Sequence, residues 1–195
     1  MHWEGIRILS LVGPDAQQTA QIRGAGVISS TRLPGSIFVA LVVYGALQGH
    51  YYASKLPDIL ATHFGGRGQP NGWQTHSAFW ATETFVMALA TLIGFGVPAM
   101  LRAIPVSLIN VPNKEHWFAP ERRESTLAYF RATFAWFACG LLAFLLFVNE
   151  LVFRANLKTP RQLNTTAFVA ALFAFMAFTA IWIVRLIGRF SRNPR

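Results

Sequence analysis

The sequence predicts an all-α membrane protein with four transmembrane helices and an outward-facing, turn-rich loop between helices 1 and 2. Only 13% of its 195 residues are charged, whereas soluble domains have about a quarter. Residues 33–54, 84–101, 132–149 and 162–184 contain no Asp, Glu, Lys or Arg. Each stretch has about the 20 residues that cross a hydrocarbon core of about 30 Å as a helix. A soluble chain of this size could not enclose four helices that are apolar on every face.

Prolines help to set the limits of the four helices, which we expect at about 36–54, 78–102, 127–152 and 165–188. Pro34, Pro57, Pro105 and Pro160 lie outside these stretches, where proline is tolerated. Pro98 lies late in the second helix and is expected to kink or end it, because it lacks the N–H that a helix needs.

The remaining segments are polar or basic. We expect a flexible cytoplasmic tail at 1–34, a cytoplasmic interfacial connection at 103–126 and a basic cytoplasmic tail at 189–195. In the connection, Trp117 and Phe118 lie among basic residues, as in segments that lie along lipid headgroups. Pro120 followed by Glu121 is typical of a helix start.

The distribution of basic residues predicts the orientation of the chain. Residues 1–34, 102–131 and 185–195 share one side of the membrane and hold twelve of the 17 Lys and Arg residues. We expect the protein in the inner (plasma) membrane. Because cytoplasmic loops are enriched in Lys and Arg, we expect both of its termini in the cytoplasm. The net charge of +9 therefore reflects topology, and nucleic acid is not an expected partner.

The loop at 55–77 has an unusual composition. Its glycines and prolines predict a series of turns and make a regular strand or helix implausible. His63 is the residue in it best able to act chemically, either as a ligand or pH-sensitive group, or as a hydrogen-bonding support for the turns.

This loop resembles the signature of a membrane family, the domain of unknown function 1648. The matching residues open, centre and close the loop; they are Leu56, Pro57, Asp58, Thr62, His63, Phe64, Gly68, Pro70, Gly72 and Trp73. Ala61 stands where the family pattern has a second proline, and Gly65 where it often has asparagine. The resemblance covers residues 35–102, and residues 110–130 resemble the segment that follows in a four-helix subgroup.

The resemblance implies a function only distantly. The same domain occurs in relatives of the sporulation-delaying toxin immunity protein, a multi-span protein that confers resistance to a toxin and signals its presence. A sensing, binding or immunity-type role with a peptide or protein ligand at the outer loop is therefore one expectation.

A candidate polar cluster lies at the outer ends of the predicted helices, formed by His50, His63, Glu83 and Glu150. Ionisable groups within membrane spans are costly and often functional. Three interpretations remain open: a metal site built from His50, His63 or His76 with Glu83 and Glu150, a proton-coupled polar pocket, or shallow side chains that bond the loop backbone or reach the membrane interface. Arg154 is placed to pair with Glu150 along one helix, whereas Glu83 has no obvious local partner.

Three function classes follow from these features. The first is a non-enzymatic sensing, binding or immunity-type accessory protein, and the second is a small transport component with a polar pathway at Glu83 and Glu150. The third, a membrane metal hydrolase, ranks lowest because the sequence has no GxSxG, Walker or paired metal motif. No catalytic residue, metal site or cofactor is predicted, and the lipid bilayer and a second copy of the chain are the other expected partners.

Overall fold

The fold was analysed in a computed structural model that describes residues 14–191, with side chains from residue 32 onward. Four of its helices are long and apolar enough to cross a membrane: Arg32–Ala53, His76–Met100, Pro120–Asn156 and Thr165–Phe190. The prediction of four spanning helices is confirmed at this level, and the chain is a multi-pass membrane protein. The ends of the predicted tails, residues 1–13 and 192–195, lie outside the described residues.

Six α-helices and two strands follow one another in the described residues. They are α1 (Pro14–Ala53), β1 (Ile59–Phe64), β2 (Pro70–Thr75), α2 (His76–Thr91), α3 (Val97–Met100), α4 (Lys114–Trp117), α5 (Pro120–Asn156) and α6 (Thr165–Phe190). Helix α1 begins within the segment that we expected to be a flexible tail, and α5 begins at the proline expected to start a helix. Polar side chains cap two helices: Ala78 donates its N–H to Thr75 and Ala167 donates to Asn164.

Helix α5 is the centre of the bundle. It has 37 residues, about 55 Å at helical rise, and α1, α2, α3, α6 and β1 all pack against it. In its most apolar window 39% of the residues are buried, compared with 17% in the spans of α1 and α2 and none in α6. Helix α6 is thus a peripheral span that contacts the bundle mainly through α5.

The second span contains an irregular turn, as Pro98 led us to expect. A π-helical turn, Leu92–Gly96, joins α2 to α3, so the helix widens before the proline and continues to Met100. At Gly94, a Cβ atom would come within 2.3 Å of the Ala138 Cβ on α5. The absence of a side chain therefore lets the irregular turn approach the central helix closely.

The loop between α1 and α2 is a β-hairpin, and the expectation that it contains turns alone was wrong. Strands β1 and β2 pair antiparallel from Ile59 opposite Thr75 to Phe64 opposite Pro70, with register shifts on both sides of His63. Pro70 is tolerated because it is the first residue of β2. Gly68 takes the positive φ of 82° at the tip, where a residue with a side chain would be strained.

Candidate functional site

The β-hairpin closes one end of the helix bundle, which we call the hairpin end. Beneath it lies a buried cluster of Tyr52, Leu56, Leu60, Phe79, Val152 and Phe153. Leu60 and Ala61 of β1 are fully buried. The hairpin is therefore fixed to the bundle by an apolar core of its own.

The outer edge of β1 is closed by two side chains, one from the last residue of α5 and one from the connection that follows it. Ala61 donates its N–H to Asn156 Oδ1 at 2.8 Å, and Asn156 Nδ2 donates to the Ala61 carbonyl, also at 2.8 Å. The carboxamide thus bonds to Ala61 as a neighbouring peptide group would. A few residues along, Arg161 donates to the carbonyl of Ile59 at 3.2 Å. Ala61 is the position where the family pattern has proline, which could not make the first of these bonds.

The outer edge of β2 is open. Because the N–H and C=O of Ala61 point away from β2, its pair with Trp73 is of the non-hydrogen-bonded kind. The N–H and C=O of Trp73 therefore point outward as well, and no backbone hydrogen bond joins that edge to another part of the chain that the structure describes. The Trp73 side chain is 50% exposed, and Arg161 lies over its ring at 5.2 Å.

The tip of the hairpin is fixed to the connection between α5 and α6. Leu163 donates its N–H to the Gly68 carbonyl at 3.0 Å. A Cβ atom on Gly68 would lie 2.5 Å from the Leu163 carbonyl oxygen, so this contact requires glycine. Below the tip, a cavity of about 430 Å³ lies between the hairpin, α5 and α6, with His63 and Phe168 among its lining residues.

Glu150 lies in a dense hydrogen-bond network that joins α5 to α1. Its carboxylate accepts from Gln48 Nε2 at 2.9 Å, from the Tyr52 hydroxyl at 2.9 Å and from Arg154 Nε at 2.6 Å. The pair with Arg154 is the one that the sequence predicted. Three donors from two helices bind this carboxylate, so its geometry is that of a structural tie between α1 and α5.

Glu83 has a separate partner, which the sequence analysis did not identify. Asn149 Nδ2 donates to Glu83 Oε2, linking α2 to α5 one residue before Glu150. Neither ion pair among the described residues involves Glu83. Glu83 thus places a half-buried carboxyl group within a span, and this group is hydrogen-bonded to a neutral amide.

The two candidate histidines do not join the carboxylates. His63 is exposed, and its Nδ1 is hydrogen-bonded to Asn71 Oδ1 on the opposite strand. His50 is exposed in a groove between α1 and α2 that His76 also lines, and Trp80 donates to His76 Nε2 at 3.2 Å. Among the described residues no group of three or more His, Cys, Asp or Glu side chains is placed to hold a metal ion.

Sequence reasoning missed the residues that hold the hairpin end together, chiefly Asn156, Gln48 and Asn149. Each is an uncharged polar residue in an otherwise apolar helix, and this was the available signal, because such groups need a partner inside a membrane. Their partners lie 66 to 102 residues away, so the sequence could not show which groups they bind.

The surface of the hairpin end is basic. Lys55, Arg67, Lys158 and Arg161 lie there with one carboxylate, Asp58, that forms no ion pair with a described residue. This basic surface favours ligands that are neutral or negatively charged. Comparisons of the chain with models of protein families, with curated proteins and with solved structures give no match.

Proposed function

We propose that the protein is a non-enzymatic envelope protein of the sensing, binding or immunity type, which binds an extended peptide at the hairpin. The observation that carries this proposal is the asymmetry of the two strands. Asn156 and Arg161 occupy the edge of β1, whereas the edge of β2 presents the backbone of Trp73. Such an edge pairs readily with an extended chain.

The distribution of basic residues supports an outward-facing hairpin. The segments on the hairpin side hold five of the 17 Lys and Arg residues, and those on the other side hold twelve. By the positive-inside rule, the hairpin then faces away from the cytoplasm and both termini lie within it. A peptide arriving from outside the cell would meet the β2 edge directly.

Two features of Trp73 suit it to contact such a peptide. Backbone bonds at a strand edge give affinity without sequence preference, whereas side chains beside the edge select the partner. The half-exposed indole is large and rigid, and tryptophan is enriched among residues that dominate binding energy. The basic surface around it further favours peptides that are neutral or acidic.

A deletion strain tests the proposal. The strain would be challenged with a panel of acidic, neutral and cationic membrane-active peptides, and then complemented with wild type, Trp73→Ala or Phe85→Ala. We expect the deletion to sensitise cells to at least one neutral or acidic peptide, and Trp73→Ala to fail to restore resistance. For that peptide, loss of a central tryptophan should weaken binding about 30-fold, as for other binding hot spots.

Phe85→Ala is the matched control. Phe85 is an aromatic residue on α2 with 67% of its surface exposed, and it lies away from the hairpin strands. Immunoblots of membrane fractions would establish that all variants accumulate equally. Restoration of resistance by Trp73→Ala to the wild-type level would contradict a binding role for the β2 edge.

A transport component is the second candidate, favoured by the position of Glu83. A half-buried carboxyl group whose hydrogen-bond partner among the described residues is a neutral amide can exchange a proton more readily than one that accepts from three donors, as Glu150 does. This candidate predicts proton or solute flux into proteoliposomes that is lost in Glu83→Gln. Unchanged flux in that variant, or no flux under any imposed gradient, would remove its support.

A further inference from the structure

A cluster of basic and aromatic side chains lies at the end of the bundle opposite the hairpin, where α6 ends. Arg185 and Arg189 are one turn apart on α6 and therefore lie on the same face of that helix. Arg185 is 20 positions from the first residue of α6, about 30 Å along the helix. If α6 starts at one surface of the hydrocarbon core, both arginines lie at headgroup level on the other side.

The Arg189 guanidinium is held in place by aromatic rings. Its Cζ atom lies 4.3 Å from the Tyr129 ring centroid and 5.5 Å from that of Trp117. The Tyr129 hydroxyl in turn donates to the Arg185 carbonyl at 3.3 Å. Much of the side-chain entropy that binding would cost at Arg189 is therefore already lost in the free protein.

This cluster has donors in excess of acceptors. Neither arginine forms an ion pair with a described carboxylate. Arg189 Nε and Trp117 Nε1 are buried without a hydrogen-bond partner among the residues that the structure describes. The nearest acidic segment contributes Glu124, which is paired with Arg102 at 2.7 Å, and Glu115 and Glu121, which are exposed. The Arg185 side chain is exposed, so its guanidinium group is available to an anionic oxygen.

An apolar cavity continues from these arginines between α5 and α6. Its volume is about 400 Å³, and Trp136, Phe178, Ile181 and Trp182 line it together with Arg185. Trp136 and Ile181 are 42% and 54% exposed on its rim, so the cavity is accessible from the side that faces lipid. Trp182 is fixed by donating to the Thr133 carbonyl at 2.9 Å.

We propose that the cavity and the two arginines together bind one anionic phospholipid, with an acyl chain in the cavity and the phosphate group against Arg185 and Arg189. Arginine suits phosphate because its planar group can donate two parallel hydrogen bonds. Basic pockets between membrane helices are a general means of binding anionic headgroups. The site lies at the opposite end of the bundle from the hairpin and is independent of the function proposed for it.

Native mass spectrometry of the purified full-length protein tests the site directly. Delipidated protein would be titrated with phosphatidylglycerol or phosphatidylcholine of identical acyl chains, and bound lipid counted. We expect one tightly bound phosphatidylglycerol and a clear preference over phosphatidylcholine. The double variant Arg185→Gln/Arg189→Gln should bind phosphatidylglycerol about 30-fold more weakly, as expected for the loss of two basic residues near the headgroup.

Three further variants separate the site from general charge and from misfolding. Arg122→Gln/Arg131→Gln removes the same charge from the same end and should have a much smaller effect. Arg185→Lys/Arg189→Lys keeps the charge but loses the paired donors of arginine, so its affinity for phosphatidylglycerol should lie between those of wild type and of the Arg185→Gln/Arg189→Gln variant. Ile181→Trp fills the cavity and should weaken binding of both lipids. Circular dichroism and size-exclusion chromatography would establish that each variant is folded.

Several results would overturn the proposal. One is equal binding of the two lipids by wild type, and another is equal loss in the two glutamine double variants. Undiminished binding in Ile181→Trp would exclude the cavity as the acyl-chain site. Displacement of the lipid by inorganic phosphate alone would assign the cluster to a free anion.

Discussion

Replacing Asn156 by leucine should release the hairpin from the bundle. The side chain is 5% exposed and makes hydrogen bonds of 2.8 Å to both backbone groups of Ala61, a residue with no exposed surface. Leucine has a similar size but no polar atom, so it would leave a buried N–H and a buried C=O without partners. At about 1 to 3 kcal/mol for each group, the expected destabilisation is about 2 to 6 kcal/mol.

Hydrogen exchange followed by mass spectrometry is the suitable assay, because the loss is local. Even the lower bound of about 2 kcal/mol corresponds to about 30-fold faster exchange of amides in peptides covering residues 59–64, if they exchange through local opening. The matched control is Asn110→Leu, which replaces an exposed asparagine between α3 and α4. Unchanged exchange in Asn156→Leu would show that the hairpin is held without the Asn156 hydrogen bonds and would refute this reasoning.

Three other substitutions test the same end of the molecule. Gly68→Ala should destabilise the hairpin by more than about 1 kcal/mol, because the alanine would need a positive φ and its Cβ would clash with neighbouring atoms. Limited proteolysis would detect cleavage at the loosened tip. The control is Gly66→Ala, whose Cβ would have nothing within 4 Å and which should resist the protease as wild type does. Glu150→Ala should lower the thermal unfolding midpoint more than Arg154→Ala, because it removes the acceptor of the Tyr52 hydroxyl and of one N–H of Gln48, whereas Arg154 is 68% exposed and solvent screens its ion pair; equal shifts would contradict this. Ala61→Pro should destabilise the protein by about 1 to 3 kcal/mol, because proline cannot make the buried hydrogen bond from Ala61 to Asn156, although the family pattern has proline there. An unfolding midpoint at or above that of wild type would argue against a stabilising role for that bond.

The extent to which the sequence predicted this fold depends on how local each determinant is. The four spans follow from runs of apolar residues, which need no knowledge of the rest of the chain. Pro98 likewise predicted an irregular second span, although not the π-helical turn that accommodates it. The hairpin was missed because Gly65, Gly66 and Pro70 are strong local signals for turns.

What stabilises the strands is far away in sequence. Asn156 lies 95 residues from Ala61, and Leu163 also lies far along the chain from Gly68. The same reason explains the candidate polar cluster. Depth in the membrane suggested that Glu83 and Glu150 lie near one another, but their partners depend on how the helices are rotated, which composition does not reveal. The composition of residues 55–77 located the loop but gave no information about these contacts.

The hydrogen bonds between Asn156 and Ala61 on the edge of β1 have a consequence during synthesis of the protein. The ribosome synthesises Ala61 before Asn156, and 95 residues at about 5 to 20 residues per second take about 5 to 20 s. During that interval the first two spans can already be inserted, while both edges of the hairpin remain unpaired. The nascent chain must therefore carry an exposed β1 edge until its third span arrives, and quality-control factors that recognise such edges have that window in which to act.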